Sequence, residues 1–127
     1  LVARDRRPRG CEVVDAGPAG LAASRAAARE VTVGREVLGY IADLARATRV
    51  SPSLALGVSP RGATALLSTA RSWAWLAGRS YVTPDDVQAL AKPTLRHRVR
   101  LRAEAEMEGG TADGVLDAVL VAAPVPR

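Results

Sequence analysis

One arginine in this 127-residue chain stands where a helix least tolerates a cation. Ser59-Pro60 has the form of a helix start, with Ser capping free amides and Pro at the first helical position. Arg61 then falls in the first turn. Unpaired amides give that turn a partial positive charge, so a cation there costs a few tenths to about 1 kcal/mol. Thr83-Pro84-Asp85-Asp86 uses the same grammar with acids in that place. A bound anion would resolve the conflict at Arg61, because the helix start and the guanidinium present donors to the same group. On local physics alone, an arginine extended into water, which screens the penalty, is the better account.

The other residues able to do chemistry are fewer. A basic run at 96–102 alternates charge with Val99 and Leu101. It reads either as a contact for phosphates or an acidic neighbouring domain, or as the solvated side of an edge strand. Composition favours the solvated side, leaving Arg96, His97 and Arg98 as possible interface residues. Trp73 and Trp75 lie on different faces of one helix; Trp73 fits the apolar stripe, which makes Trp75 the candidate partner contact. Cys11 is alone and His97 is the only histidine, so no metal site is expected. No Gly-rich loop ends in Gly-Lys-Ser/Thr; the single lysine, Lys92, lies between Ala91 and Pro93. With no Ser/His/Asp or Cys/His order either, the chain by itself is expected to hydrolyse nothing.

The elements that must position these residues are short helices. Apolar residues make up 48% of the chain, yet Phe is absent and aromatics reach only 3%, so Ala, Leu and Val must form the core. Small residues favour closely packed helices. Residues 1–17, rich in Arg, Pro and Gly, read as a connector or a remnant of a preceding domain, with a short extended piece at Glu12-Val13-Val14. Residues 18–127 read as one helical domain. Helices are expected over 18–29, over 35–49 with Val37, Ile41, Leu44, Ala45 and Thr48 inward, after Ser59, after Thr83, and after Thr111. Tyr40 lies beside the second helix's stripe. Residues 54–58 read as a loop, 104–110 as an acidic turn, and Val31-Thr32-Val33 and Tyr81-Val82 as brief extended links. The expected fold class is mainly all-α: a small bundle of four to five helices with very short extended segments. The net charge of +5 admits nucleic acid, nucleotide or acidic protein partners without choosing among them. Neither a signal-peptide pattern nor an apolar run long enough for a bilayer occurs, so a cytoplasmic location is the default expectation. The first residue is Leu1 rather than Met, which suggests a fragment.

Four ordered motifs resemble the C-terminal lid of MoxR-family AAA+ ATPases. Residues 40–49, from Tyr40-Ile41-Ala42-Asp43 onward, look like the first lid helix; Gly57-Val58-Ser59-Pro60-Arg61-Gly62 resembles the sensor-2 segment. The pattern continues through Gly78-Arg79-Ser80-Tyr81-Val82-Thr83-Pro84-Asp85-Asp86-Val87, Leu95-Arg96-His97-Arg98 and the Pro-rich end at Pro124. The similarity covers about residues 30–127. It departs from the family at Val58, where Ala is common, and at Thr94, where an aliphatic residue is usual.

The resemblance implies that Arg61 is the sensor-2 arginine, reaching the γ-phosphate of ATP, with Pro60, Tyr40 and Ile41 near the adenine side. It implies ATP and Mg2+ as cofactors of the intact enzyme, neither held by the lid alone. It further implies an AAA+ core in the same polypeptide, a hexameric ring, chaperone-like maturation of partner complexes, and a von Willebrand A-domain partner. The phosphate loop, the Mg-binding acidic motif, sensor 1 and the arginine finger are absent here. Two rival readings remain: a basic helical nucleic-acid module, which the resemblance disfavours, and a protein-interaction domain whose Arg61 meets no phosphate.

Overall fold

The computed structural model describes residues 17–127. The extended piece expected at Glu12-Val13-Val14, Cys11 and nearly all of the proposed connector lie outside those residues. Six helices form among the described residues: α1 Gly17–Arg29, α2 Arg35–Val50, α3 Pro60–Leu76, α4 Pro84–Leu95, α5 Ala103–Met107 and α6 Ala112–Ala122. The mainly helical expectation holds, with a helix more than expected. The difference is α5, which replaces the turn predicted within 104–110. Its two acids, Glu104 and Glu106, sit in the first turn where the helix dipole favours them.

The expected starts are present for a local reason. The Ser59 hydroxyl accepts the Gly62 amide at 3.2 Å, and Thr111 accepts the Gly114 amide at 3.0 Å. Thr83 and Asp86 cap each other's amides in a full capping box. At the end of α3, Gly78 takes φ 75°, a left-handed conformation that lets Arg79 N–H reach back to the Ala74 carbonyl at 2.9 Å.

Packing centres on α2, α3 and α4. Ala70, Ala74 and Ala91 are almost fully buried and let the helices approach closely, while Leu44, Leu66, Val87 and Leu116 fill the spaces between them. Tyr40 belongs to this core rather than beside it, and its hydroxyl accepts from Gln88 at 3.2 Å. α6 lies against α2 and α4; the pairs Lys92–Asp117 at 2.8 Å and Arg96–Asp113 at 3.2 Å join it to α4.

Residues 54–58, expected as a loop, begin with strand β1, Leu54–Leu56. It pairs antiparallel with β2, Arg100–Leu101, in the register Leu54 with Leu101 and Leu56 with Arg100. The extended reading of the basic run thus holds for a shorter piece than predicted. Thr32 and Tyr81 form a single parallel bridge, which explains the two short β-favouring links.

The two tryptophans exchange their expected places. Trp73 is 49% exposed, whereas Trp75 is half-buried against the core. The buried row of α3 runs through Gly62, Leu66, Ala70 and Ala74. α1 covers one flank of this row, bringing Ala27 and Val31 to the surroundings of Trp75. A helical wheel for one helix cannot reveal which flank a second helix will cover.

Candidate functional site

The segment carrying Arg61 is fastened to the end of α2. Thr48, wholly buried, donates its hydroxyl proton to the Ala45 carbonyl at 2.7 Å and accepts the Val58 amide at 2.9 Å. The next residue, Arg49, donates from Nε to the Val58 carbonyl at 2.8 Å. Both polar groups of the Val58 backbone are therefore held by neighbouring residues of one helix. Gly57 makes the approach possible. A Cβ there would lie 2.7 Å from the Arg49 backbone, inside the contact distance of real atoms.

Local accounting at the start of α3 leaves little donor capacity unused. Pro60 has no N–H, the Gly62 amide is capped by Ser59, and the Ala63 amide bonds to the Ser59 carbonyl at 3.1 Å. Among the first four positions, the Arg61 amide remains open to an external acceptor. The Arg61 side chain is exposed, has no ion-pair partner among the described residues, and shares its first turn with no acid. One amide and one guanidinium thus stand together, rigidly based and unneutralised. They can donate to an oxyanion.

A second arginine reaches this turn from elsewhere in the chain. Arg98 lies in the turn after α4, its amide bonded to the Leu95 carbonyl at 2.8 Å. Its Cδ would be 3.5 Å from a Cβ built on Gly62, and its Nε is buried without a hydrogen-bond partner. In the sequence Arg98 belongs to the basic run as a possible interface residue, and nothing along the chain places its stem against the turn that holds Arg61.

The remaining candidates are dispersed. Pro60 is exposed beside Arg61. Tyr40 and Ile41 are only 3% and 4% exposed, so a ligand could meet little of either side chain. Arg96 pairs with Asp113, and His97 is exposed. Among the described residues no group of His, Cys, Asp or Glu is placed to hold a metal.

The motif around Arg79 and Asp86 performs a structural task. The Arg79 guanidinium holds the Asp86 carboxylate with two nitrogens, at 2.7 and 2.6 Å, and donates to the Tyr81 carbonyl at 3.1 Å. Burial alone would push the Asp86 carboxyl up. The Arg79 hydrogen bonds, helped by the Thr83 amide and hydroxyl, outweigh burial and hold it below the usual carboxylate range. The Arg79 guanidinium is raised in turn, chiefly by its hydrogen bond to Asp86.

A family model described as the AAA lid domain matches residues 46–119. The chain belongs to that family. Thr48, the 57–62 segment, Arg79, Asp86 and Arg98 all lie within the match, whereas Tyr40 and Ile41 precede it. The Bacillus subtilis protein named Uncharacterized protein YeaC is 46% identical over 87 residues, covering 68% of this chain and 27% of that protein. Protein MoxR of Paracoccus denitrificans is 38% identical over 101 residues, covering 68% of this chain and 30% of its own length. Chaperone MoxR1 of Mycobacterium tuberculosis is 35% identical over 74 residues, covering 58% and 20%. A crystal structure of a presumed ATPase from Cytophaga hutchinsonii superposes with a TM-score of 0.75 at 27% identity, over 80% of this chain and 34% of that one. The AAA lid domain described here is of the MoxR type, and the chain spans about a third or less of each relative's length.

Proposed function

We propose that this AAA lid domain acts as the sensor-2 element of a MoxR-type ATPase, with Arg61 contacting the terminal phosphate of ATP held by an AAA+ core. The observation carrying the proposal is an exposed, unpaired guanidinium in an acid-free first turn whose base is bolted to α2. That combination suits a phosphate brought from outside. Arg98 adds positive charge beside the same turn, and the open Arg61 amide supplies a further donor. Tyr40 and Ile41 contribute to the nucleotide's surroundings chiefly by supporting α2 from within the core; Pro60 offers exposed surface at the same helix start.

ATP with Mg2+ would supply the transferable phosphoryl group, its metal held outside the described residues. Arg61 binds and orients the γ-phosphoryl oxygens, favouring the charge that develops there during transfer. Loss of that anion removes the electrostatic tie between lid and core. The lid, fastened internally by Thr48 and Val58, then moves as one body. In the intact enzyme such motion would pass around a homo-oligomeric ring, a hexamer in this reading. The client function proposed is chaperone-like maturation of partner complexes in the cytoplasm, with a von Willebrand A-domain protein as partner.

The test is an Arg61→Ala exchange in the full-length ATPase. ATP turnover is expected to fall by about 100-fold, as for loss of one transition-state donor, along with nucleotide-dependent assembly. Unchanged turnover and assembly would remove Arg61 from the mechanism. No specific contact favours the nucleic-acid reading, and Arg96 of the basic run is already engaged by Asp113.

A further inference from the structure

A second basic site runs along α3 from just beyond the Arg61 turn, in a cavity of about 510 Å³ between α1 and α3. Arg25 and Arg29, one turn apart, enter it from α1, and Arg71 enters it from α3. Among the described residues no carboxylate lines the cavity and none of these arginines has an ion-pair partner. Arg71 Nε is moreover buried without a hydrogen-bond partner among the described residues. Buried donors are nearly always paired, so an orphaned guanidinium nitrogen among three cations calls for an oxyanion.

The opposite wall of the cavity narrows the choice of oxyanion. Thr64, Ser68 and Ser72 recur every four residues along α3, a row about 12 Å long at 1.5 Å per residue. Thr64 commits its hydroxyl proton to the Pro60 carbonyl at 2.9 Å, and Ser72 commits its own to the Ser68 carbonyl at 3.1 Å. Their oxygens remain as acceptors. Ala28 and Leu67 add an apolar patch between the two kinds of polar group. Phosphate could take donors from the arginines and from the Ser68 hydroxyl, but it would offer the Thr64 and Ser72 oxygens almost no donor in return and nothing to the apolar patch. A polypeptide carries backbone N–H groups for the hydroxyl oxygens, carboxylates for the arginines and methylenes for the apolar patch. Four extended residues match the row's length, at about 3.3 Å each.

We infer that the α1–α3 cavity is a docking site for an acidic polypeptide segment, with Arg71 as its central carboxylate ligand. Arg61 does not line this cavity, which starts one turn further along α3.

The test titrates the 127-residue chain with blocked hexaglutamate, following arginine Nε–Hε and backbone amide signals by NMR. Saturable shifts are expected at Arg71 and along 25–29 and 64–72. Arg71→Lys keeps the charge but loses the planar fork, and should weaken binding at least tenfold. Arg25→Gln with Arg29→Gln, at exposed positions, should do the same while leaving Arg71 in place. Arg102→Lys should change affinity less than twofold. Equal affinity in Arg71→Lys and the parent chain would overturn the assignment. So would inorganic phosphate saturating the same signals at matched ionic strength and competing hexaglutamate away. The measurement contains no ATP, so its failure and that of the sensor-2 reading are separable.

Discussion

The hydroxyl of Thr48 and the amide of Val58, 2.9 Å apart and both buried, connect the end of α2 to the segment that starts α3. The same hydroxyl donates to Ala45, so it is fixed in orientation and presents a lone pair to Val58. Nine residues of chain, including β1, close between these two partners. The direction in which α3 leaves the core is thereby tied to α2, and with it the base from which Arg61 extends.

Thr48→Val keeps the side-chain shape and removes the acceptor. It leaves the Val58 amide buried and unpaired, which costs about 1–3 kcal/mol. Urea denaturation should show a lower midpoint with an unchanged slope. Thr48→Ser, which keeps the hydroxyl, should lose clearly less.

Gly57→Ala forces a methyl group against the backbone of Arg49. Rigid backbone cannot yield as a side-chain tip can, so a loss of about 1–3 kcal/mol is expected. In the full-length ATPase, turnover should fall as well, because the 57–62 segment must move outward. Normal turnover in a folded Gly57→Ala protein would mean that the placement of this segment does not matter for catalysis.

Arg61→Ala should leave stability within about 0.5 kcal/mol of the parent, since the side chain is exposed and unpaired. Removing a cation from a helix start can even stabilise by a few tenths of a kcal/mol. A thermal midpoint at or slightly above that of the parent, together with impaired turnover, would separate function from folding at this residue.

Asp86 sets the acid sensitivity. Its folded carboxyl is held below the usual range, mainly by Arg79 against the opposing effect of burial. The stability it contributes is present in full above the unfolded carboxyl value of 3.8 and is lost as pH falls below that towards the lower folded value. Asp86→Ala should cost about 2–3 kcal/mol, near the low end for a broken buried pair because Arg79 keeps some access to water. It should also flatten the decline in stability as pH falls below about 3.8, measured by denaturation at each pH.

Trp73 and Trp75 make opposite predictions. In a Trp75→Phe protein the remaining fluorescence, from exposed Trp73, should be red-shifted and readily quenched by acrylamide. In Trp73→Phe it should be blue-shifted and protected. Trp75→Ala should cost about 2–3 kcal/mol through lost packing, and Trp73→Ala within about 1 kcal/mol.

The sequence by itself determined what depends on neighbours along the chain. Ser59-Pro60, Thr83-Pro84 and Thr111 each name a helix start, because a cap and its amide are only three residues apart. The helical repeat of Val37, Ile41, Leu44, Ala45 and Thr48 named a buried stripe, and the conflict of Arg61 with its own helix start was legible from charge alone. Ordered motifs identified the lid by resemblance. Only the tertiary structure decided relationships that cross elements: Thr48 and Arg49 holding Val58, the stem of Arg98 against Gly62, and the exchange of Trp73 with Trp75. The strand at 54–56 and the short helix at 103–107 differ from the expected loop and turn. Acids in its first turn favour α5 locally, whereas β1 exists because β2, forty-odd residues later, supplies its hydrogen bonds. Local free energy selects a helix and its cap, but which face is covered and which guanidinium meets which turn depend on contacts between distant segments, whose energies no local pattern encodes.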